Sequence, residues 1–233
     1  MIKYTIGDCR NYLKELPHID LICTDPPFNF STHGQGMMRK RDYLTEIQNS
    51  FGSDFNPLEY LGLLFDVVKP FNAYFFTNKS LVPVYLNWAE DKILSFDILT
   101  WIKPNPTPLK NNHYLPDTEY IIYIKSEGVY FDSLLDFSYY RKWILKDSPN
   151  QHKTVINHPS PKPISVMKKL IMVSCPQGGT VLDPFLGSGT TLRACRESNR
   201  NGIGFEINPK YEPEIKKRIA EKQGLEKFMD EGS

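Results

Sequence analysis

The chain has 233 residues, 40% hydrophobic and 24% charged, a length and balance that suit one large globular domain over 1–233. Its 28 basic residues nearly cancel its 27 acidic ones, and a total of +1 neither supports nor excludes nucleic acid, because phosphate binding needs only a local basic surface. Cys9, Cys23, Cys175 and Cys195 form no CxxC pair, which excludes a zinc knuckle or disulfide framework, and no stretch has the apolar length of a signal peptide or membrane span, so a cytoplasmic protein without membrane or metal partners is expected.

In chain order, short apolar runs alternate with helical patterns, as in an α/β fold with a largely parallel sheet. Strands are expected at 4–6 and 20–24, with a helix over 10–16 between them. Helices over 57–68 and 81–91 flank a strand at 73–76, and strands at 96–102 and 120–124 follow. The last third reads helix 164–174, strand 180–182, helix 190–197, strand 202–205 and helix 209–221. Asn208 suits the cap of that last helix and Pro209 its first turn.

Three stretches break the rhythm. Residues 31–56 are polar, with Gly34, Gly36 and the cluster Arg39, Lys40 and Arg41. Residues 103–116 carry Pro104, Pro106, Pro108 and Pro116, and 130–157 mix aromatics with Arg141, Lys142, Lys146 and Lys153. Long irregular segments in one domain are either solvated loops or functional ones. His33, His113 and His152 show no metal-ligand grouping.

Chemistry concentrates in three segments. In "TVLDPFLGSGTTLRAC" (180–195) a strand enters a Gly-rich turn and then a helix with Thr190 and Thr191 in its first turn. Such glycines let the backbone approach a ligand, and the helix start offers N–H groups. The GK[ST] ending of a phosphate loop is missing, and without the Asp-Pro-Phe lead-in the segment would read as a tight β-to-α turn. One helix later, "GIGFEINPKY" (202–211) ends a strand at Glu206, where a carboxylate accepts hydrogen bonds from ribose hydroxyls. These two segments together point to an adenosyl ligand.

The third segment is "LICTDPPFNF" (21–30), in which a buried-type strand stops at Asp25. Asp25 and the Pro26 carbonyl can both accept from one exocyclic NH₂ group. Pro26 and Pro27 fix φ and contribute no N–H, so the carbonyls stay aimed outward. Phe28 offers a face on which a planar base stacks, a contact of about 1–3 kcal/mol. A Pro-Pro strand terminator would explain the turn but not the aspartate and the ring.

"TDPPF" resembles the catalytic [DNS]PP[YFW] motif of S-adenosylmethionine-dependent DNA amino-methyltransferases, the N6-adenine and N4-cytosine enzymes. "DPFLGSGTT" resembles their FxGxG cofactor motif, and "HPSPKPISVMKKLI" their HPxxKP segment. "IGDCRNYLKELPHIDLI" and "WIKPNPTP" resemble two further family segments, so the likeness spans roughly residues 4 to 220. With the catalytic motif first and the cofactor motif last, the order is that of the circularly permuted β group. The resemblance implies a Rossmann-like methyltransferase fold with a doubly wound, mostly parallel, seven-stranded sheet and a short target-recognition insertion at about 130–157.

It also implies roles. Asp25, Pro26, Pro27 and Phe28 form the catalytic turn. Asp8 and Cys9 flank the cofactor adenine, Glu206 takes its ribose, and Asp183, Phe185, Gly187, Ser188, Gly189 and Thr190 line or adjoin its pocket. Lys162 and His158 reach the methionine carboxylate. Arg39, Lys40 and Arg41, and Arg141, Lys142 and Lys146 interleaved with Tyr139, Tyr140 and Trp143, contact DNA; otherwise Trp143 and Ile144 are core and the charges solvated. The family more often has Tyr where Phe28 stands, which keeps stacking and loses a phenol hydrogen bond.

The expected reaction is methylation of adenine N6 in a specific sequence of double-stranded DNA, by base flipping and direct displacement. N4-cytosine, RNA or a protein amide are alternative targets, and a non-catalytic DNA-binding subunit is a rival of another class. A homodimer and a cognate restriction endonuclease are the partners the resemblance suggests.

Overall fold

A computed structural model describes residues 1–27, 55–106, 114–146 and 161–220. The chain begins with β1 (Ile2–Ile6), two single 3₁₀ turns (Cys9–Asn11 and Leu13–Glu15) and β2 (Leu21–Thr24). Next come α1 (Pro57–Val67), β3 (Asn72–Thr77), α2 (Val82–Asp91), β4 (Ser95–Ile102) and β5 (Thr118–Lys125). A 3₁₀ turn (Phe137–Tyr140) leads to the short β6 (Trp143–Leu145). The last third holds α3 (Ile164–Ser174), β7 (Thr180–Asp183), α4 (Thr190–Glu197), β8 (Asn201–Glu206), a 3₁₀ turn (Pro209–Tyr211) and α5 (Glu212–Ala220).

The described strands form one sheet in the order β1-β8-β7-β2-β3-β5-β4-β6. β1, β8, β7, β2 and β3 run parallel, β5 is antiparallel to β3 and to β4, and β6 is parallel to β4. β2 and β3 are buried at every position, as strands covered on both faces must be. Alternation sorts their side chains. Ile22, Ala73 and Phe75 join Leu61, Leu64, Tyr85 and Trp88 of α1 and α2 on one face. Leu21, Cys23, Tyr74 and Phe76 join Val166, Met167, Leu170 and Ala194 of α3 and α4 on the other. The sheet is therefore doubly wound.

Several elements differ from expectation. The sheet has eight described strands instead of seven, and the eighth, β6, falls inside the expected recognition insertion. With Trp143 and Leu145 exposed and only Ile144 packed inward, three residues are too few for a readable alternation. The helix expected over 10–16 is two 3₁₀ turns, parted at Tyr12, whose ring stacks on Phe205 at 5.5 Å. The last helix is split into a 3₁₀ turn and α5, with Asn208 capping through its side chain, which accepts from the Lys210 N–H at 3.0 Å.

Topology positions the site. The chain leaves β2 toward β3 on one side and β7 toward β8 on the other, so the crevice at their carboxyl ends is a switch point of the sheet. Leu21 lies beside Val181 and Ile22 beside Leu182, so the two strands release their following turns at the same level. Ile6 lies beside Glu206, which brings the segments after β1 and β8 to the same edge. Helix α3 is pinned with its C-terminus at the opposite edge. There Asn72 at the start of β3 donates to the Ser174 carbonyl at 2.9 Å, and Ser174 Oγ bonds the Tyr74 hydroxyl at 2.8 Å. Residues just before α3 consequently sit over the carboxyl edge.

Candidate active site

Two polar clusters share that edge. The first is built on β2. Its apolar strand delivers Asp25 to the rim, where Oδ2 accepts from Lys162 Nζ, while Oδ1 is buried without a hydrogen-bond partner among the described residues. Lys162, only 4% exposed, lies between Asp25 and Glu119, whose Oε2 is 3.5 Å from Nζ. Lys103, at the end of β4, donates to the other oxygen of Glu119. Lys103, Glu119, Lys162 and Asp25 thus alternate in charge.

Burial pushes the Asp25 carboxyl up, and the Lys162 ammonium pulls it only partly back. Burial works against the charge on Lys162, yet Asp25 and Glu119 together hold its pKa above the ordinary lysine value. At Glu119 burial likewise opposes ionisation, but the two lysines keep the carboxyl below its usual range.

The second cluster surrounds a pocket of about 230 Å³, counting its open mouth, whose walls include Asp8, Cys9, Tyr60, Phe185, Glu206 and Ile207. Glu206 ends β8 and is 6% exposed. Its Oε2 accepts from the Gly187 N–H at 2.7 Å and its Oε1 from the Asn208 N–H at 2.8 Å. Burial lifts this carboxyl to about 7 against those two N–H groups. Each oxygen keeps a lone pair for a further donor. Phe185 packs against Tyr60 at 5.0 Å, forming an apolar wall, and Arg10 holds Asp8 at 2.6 Å and lowers its pKa. Burial raises the Cys9 thiol to about 12, so it packs as a neutral group.

Asp183 joins the clusters. Its Oδ1 accepts from Thr24 Oγ1 at 2.6 Å and from the Phe185 N–H at 3.1 Å, and its Oδ2 from Thr191 Oγ1 at 2.5 Å. It therefore ties the end of β2 to the turn after β7 and to the start of α4. Burial raises it to about 6.

Of the residues expected around the cofactor, Asp8, Cys9, Phe185 and Glu206 line the pocket, and the Gly187 N–H donates to Glu206. Gly187 and Gly189 both adopt positive φ, +55° and +84°. A Cβ on Gly189 would come 3.3 Å from the Ile215 Cα, so this glycine permits close approach of α5. Ser188 and Thr190 turn their hydroxyls toward the buried Arg218, 3.4 and 3.2 Å away. Lys162 is placed at Asp25. Phe28, Arg39, Lys40, Arg41 and His158 lie outside the described residues.

Arg141, Lys142 and Lys146 are exposed beside β6. The Arg141 guanidinium sits 5.3 Å over the Trp143 ring, Lys142 pairs with Asp97, and the Lys146 carbonyl accepts from Trp101 Nε1 at 2.7 Å. Sequence reasoning missed Glu119, Lys103, Thr24 and Tyr60. The available signals were an acidic residue inside the apolar run "TEYIIYIK" and a lysine directly after "LTWI". Among the described residues no group of three or more His, Cys, Asp or Glu side chains is placed to hold a metal, and no helix is long and apolar enough to cross a membrane.

An Asp-Pro-Pro turn and a carboxylate-and-aromatic pocket, side by side at the switch point of a Rossmann-like sheet, define the methyltransferase class of nucleotide-binding enzymes. The model for the DNA methylase family, of the N6 and N4 type, matches residues 19–217. The chain belongs to that family, whose members take their methyl group from S-adenosylmethionine.

Among curated relatives it is 29% identical to Type II methyltransferase M.HpaI of Haemophilus parainfluenzae, over 91% of this chain and 73% of that protein. It is 27% identical to Type II methyltransferase M2.MboI of Moraxella bovis, over 92% and 86% of the two chains. Among solved structures, the M1.HpyAVI–SAM complex is 26% identical and superposes with a TM-score of 0.71, over 95% of this chain and all of that one. The cytosine-N4-specific PvuII DNA methyltransferase shares the fold, with a TM-score of 0.69 at 18% identity over 98% and 90% of the chains.

Proposed function

We propose that this DNA methyltransferase modifies the N6 amino group of adenine in a specific duplex sequence. The observation that carries this reading is the buried Oδ1 of Asp25, just past β2, which has no hydrogen-bond partner among the described residues, next to the strand β7 whose following turn lines the Glu206 pocket. Apolar walls and a strand-end carboxylate with spare lone pairs fit an adenosyl group. Glu206 would accept from the ribose hydroxyls, Asp8 and Cys9 would flank the adenine, and Phe185 and the Gly187 backbone would close the pocket.

When bound, S-adenosylmethionine supplies a sulfonium-linked methyl group that an amine nitrogen takes by direct displacement. Asp25 Oδ1 and the Pro26 carbonyl would accept the two hydrogens of the target amine, fixing its lone pair and favouring the positive charge that develops on nitrogen. Once that nitrogen carries the methyl group, one of its protons passes to Asp25 Oδ1. The target base would be flipped from the duplex, with Phe28 as its stacking face.

Asp rather than Ser at the first motif position favours adenine over cytosine. Arg141, Lys142 and Lys146, with Arg39, Lys40 and Arg41, would meet the DNA backbone, and the segment 130–157 would read the target within this single domain. The reading extends to a cytoplasmic, homodimeric enzyme of a restriction–modification pair with a cognate endonuclease.

The test is to incubate the protein with unmethylated duplex DNA and labelled cofactor, digest to nucleosides and identify the product by mass spectrometry. N6-methyladenine is expected. N4-methylcytosine would correct the base, and transfer to RNA or a protein amide with none to DNA would overturn the substrate.

A further inference from the structure

On the proposed reading the reaction uses Asp25, and the structure surrounds that carboxylate with three charged side chains: Glu119 and Lys103, which have been given no role, and Lys162, expected at the methionine carboxylate but placed here on Asp25. Lys162 is almost fully buried, and it is the group that occupies Asp25 Oδ2. It enters from the segment just before α3, whose other end is fastened to the far edge of the sheet by Asn72 and Tyr74. Glu119 on β5 holds Lys162 from the opposite side at 3.5 Å, and Lys103, directly after β4, holds Glu119. The Lys162 ammonium also lies 5.5 Å from the Phe76 ring centre, leaving it little room to turn away.

Resting on the adenine-methylation reading, we infer that Lys162, held in place by Glu119 and Lys103, is a positioning residue that keeps Asp25 ionised and presents Oδ1 to the target amine.

The electrostatic argument follows from burial. A carboxyl removed from water at this rim tends to hold its proton, and a protonated Asp25 could neither draw the amine hydrogen nor favour a cationic nitrogen. Among the described residues five titratable groups face it: Lys162 before α3, Glu119 on β5, Lys103 just after β4, Asp183 at the end of β7 and Tyr85 on α2. Of these only Lys162 makes an ion pair with Asp25. Lys103 acts mainly through Glu119, and Glu119 itself repels the Asp25 charge. The arrangement also divides the carboxylate geometrically. Oδ2 is occupied by an ammonium, so the substrate side falls to Oδ1.

The two neighbours act on Asp25 with opposite signs, which supplies a signature that mere packing would not produce. Removing the Lys162 charge raises the Asp25 pKa, so activity is lost at higher pH than in the wild type. Removing the Glu119 charge lowers it, so activity persists to lower pH.

The experiment measures kcat against pH for methyl transfer to duplex DNA, with S-adenosylmethionine affinity determined by calorimetry, in wild type, K162M, K162R and E119Q. K162M is expected to lose about 100-fold in kcat at neutral pH, with its acid limb moved upward and cofactor affinity within about threefold of wild type. K162R restores part of kcat and of the limb, and E119Q moves the limb downward. A K162M that loses cofactor affinity tenfold or more and keeps kcat at saturation would place Lys162 on the cofactor and overturn the inference. Unmoved acid limbs in both K162M and E119Q would overturn it as well. Should K162M not fold, the direction of the E119Q limb decides. Failure of the wild type to methylate any DNA would instead sink the functional reading.

Discussion

Asp25 and Glu206 are both carboxylates at strand ends, and their surroundings assign them different work. On the proposed reading Asp25→Ala removes the acceptor for the target amine and is expected to reduce transfer at least about 1000-fold. Because Asp25 lies outside the Glu206 pocket, cofactor affinity should change less than about threefold. Radiolabelled transfer and calorimetry on the same preparation check both halves, and normal methylation in that variant would refute the mechanism. Glu206 titrates near 7 through burial, above its ordinary 4.5. A carboxyl raised on folding keeps its proton in the folded state across that window, so its contribution to stability declines as pH rises from 4.5 to 7. Ribose hydroxyls favour the ionised form, so cofactor affinity should rise about five- to tenfold between pH 6 and 8. Glu206→Gln should flatten that dependence, which binding measurements at the two pH values would show.

Elements carry the next set of constraints. The turn after β7 and the start of α4 are shaped by glycines, but for two different neighbours. Gly187 serves Glu206, whereas Gly189, at φ +84°, makes room for the Ile215 backbone of α5. Gly189→Ala forces a strained backbone and a 3.3 Å contact, so a loss of about 2 kcal/mol is expected in denaturant melts. Thr24→Val removes one of three donors to the buried Asp183 and should cost about 1–3 kcal/mol, with a drop in kcat because β2 and β7 lose their side-chain link.

These particulars also show what was readable beforehand. Asp25 and Glu206 stood out because a charge terminates an apolar run, a local pattern. The roles of α3 and α4 were equally visible from their 3.6-residue periodicity, and their ends match the expected bounds. Glu119 and Lys103 left only a faint signal, because each looks like an ordinary polar residue near a strand end. Their meaning arises only when antiparallel pairing of β4 and β5 sets Ile102 beside Thr118 and brings the following lysine to the glutamate. The placement of Lys162 was hidden for the same reason, since it depends on where the far end of α3 is fastened.

At the scale of the whole molecule, the balance of charges means that DNA affinity must come from local groups. Arg141 and Lys146 are exposed on either side of β6, and Leu134, Phe137 and Trp143 also face solvent. The double variant Arg141→Ala, Lys146→Ala should weaken duplex binding and reduce the slope of log affinity against log salt by about 2. Cofactor affinity should be unaffected. Fluorescence anisotropy over a salt series measures the slope, and an unchanged slope would remove these residues from the DNA contact.

The parallel pairing of β1 with β8 has a temporal consequence. Glu206 is made almost 200 positions after Asp8 and Cys9. The Asp25 turn is made well before β8, but the pocket lacks Glu206 and Ile207 until β8 inserts between β1 and β7. On the proposed reading, a nascent or truncated chain ending before β8 therefore carries Asp25 but lacks the carboxylate for the cofactor ribose. Loop closure over so long a separation is slow. In refolding experiments, cofactor binding should accordingly trail the recovery of secondary structure, marking the moment the fold is closed.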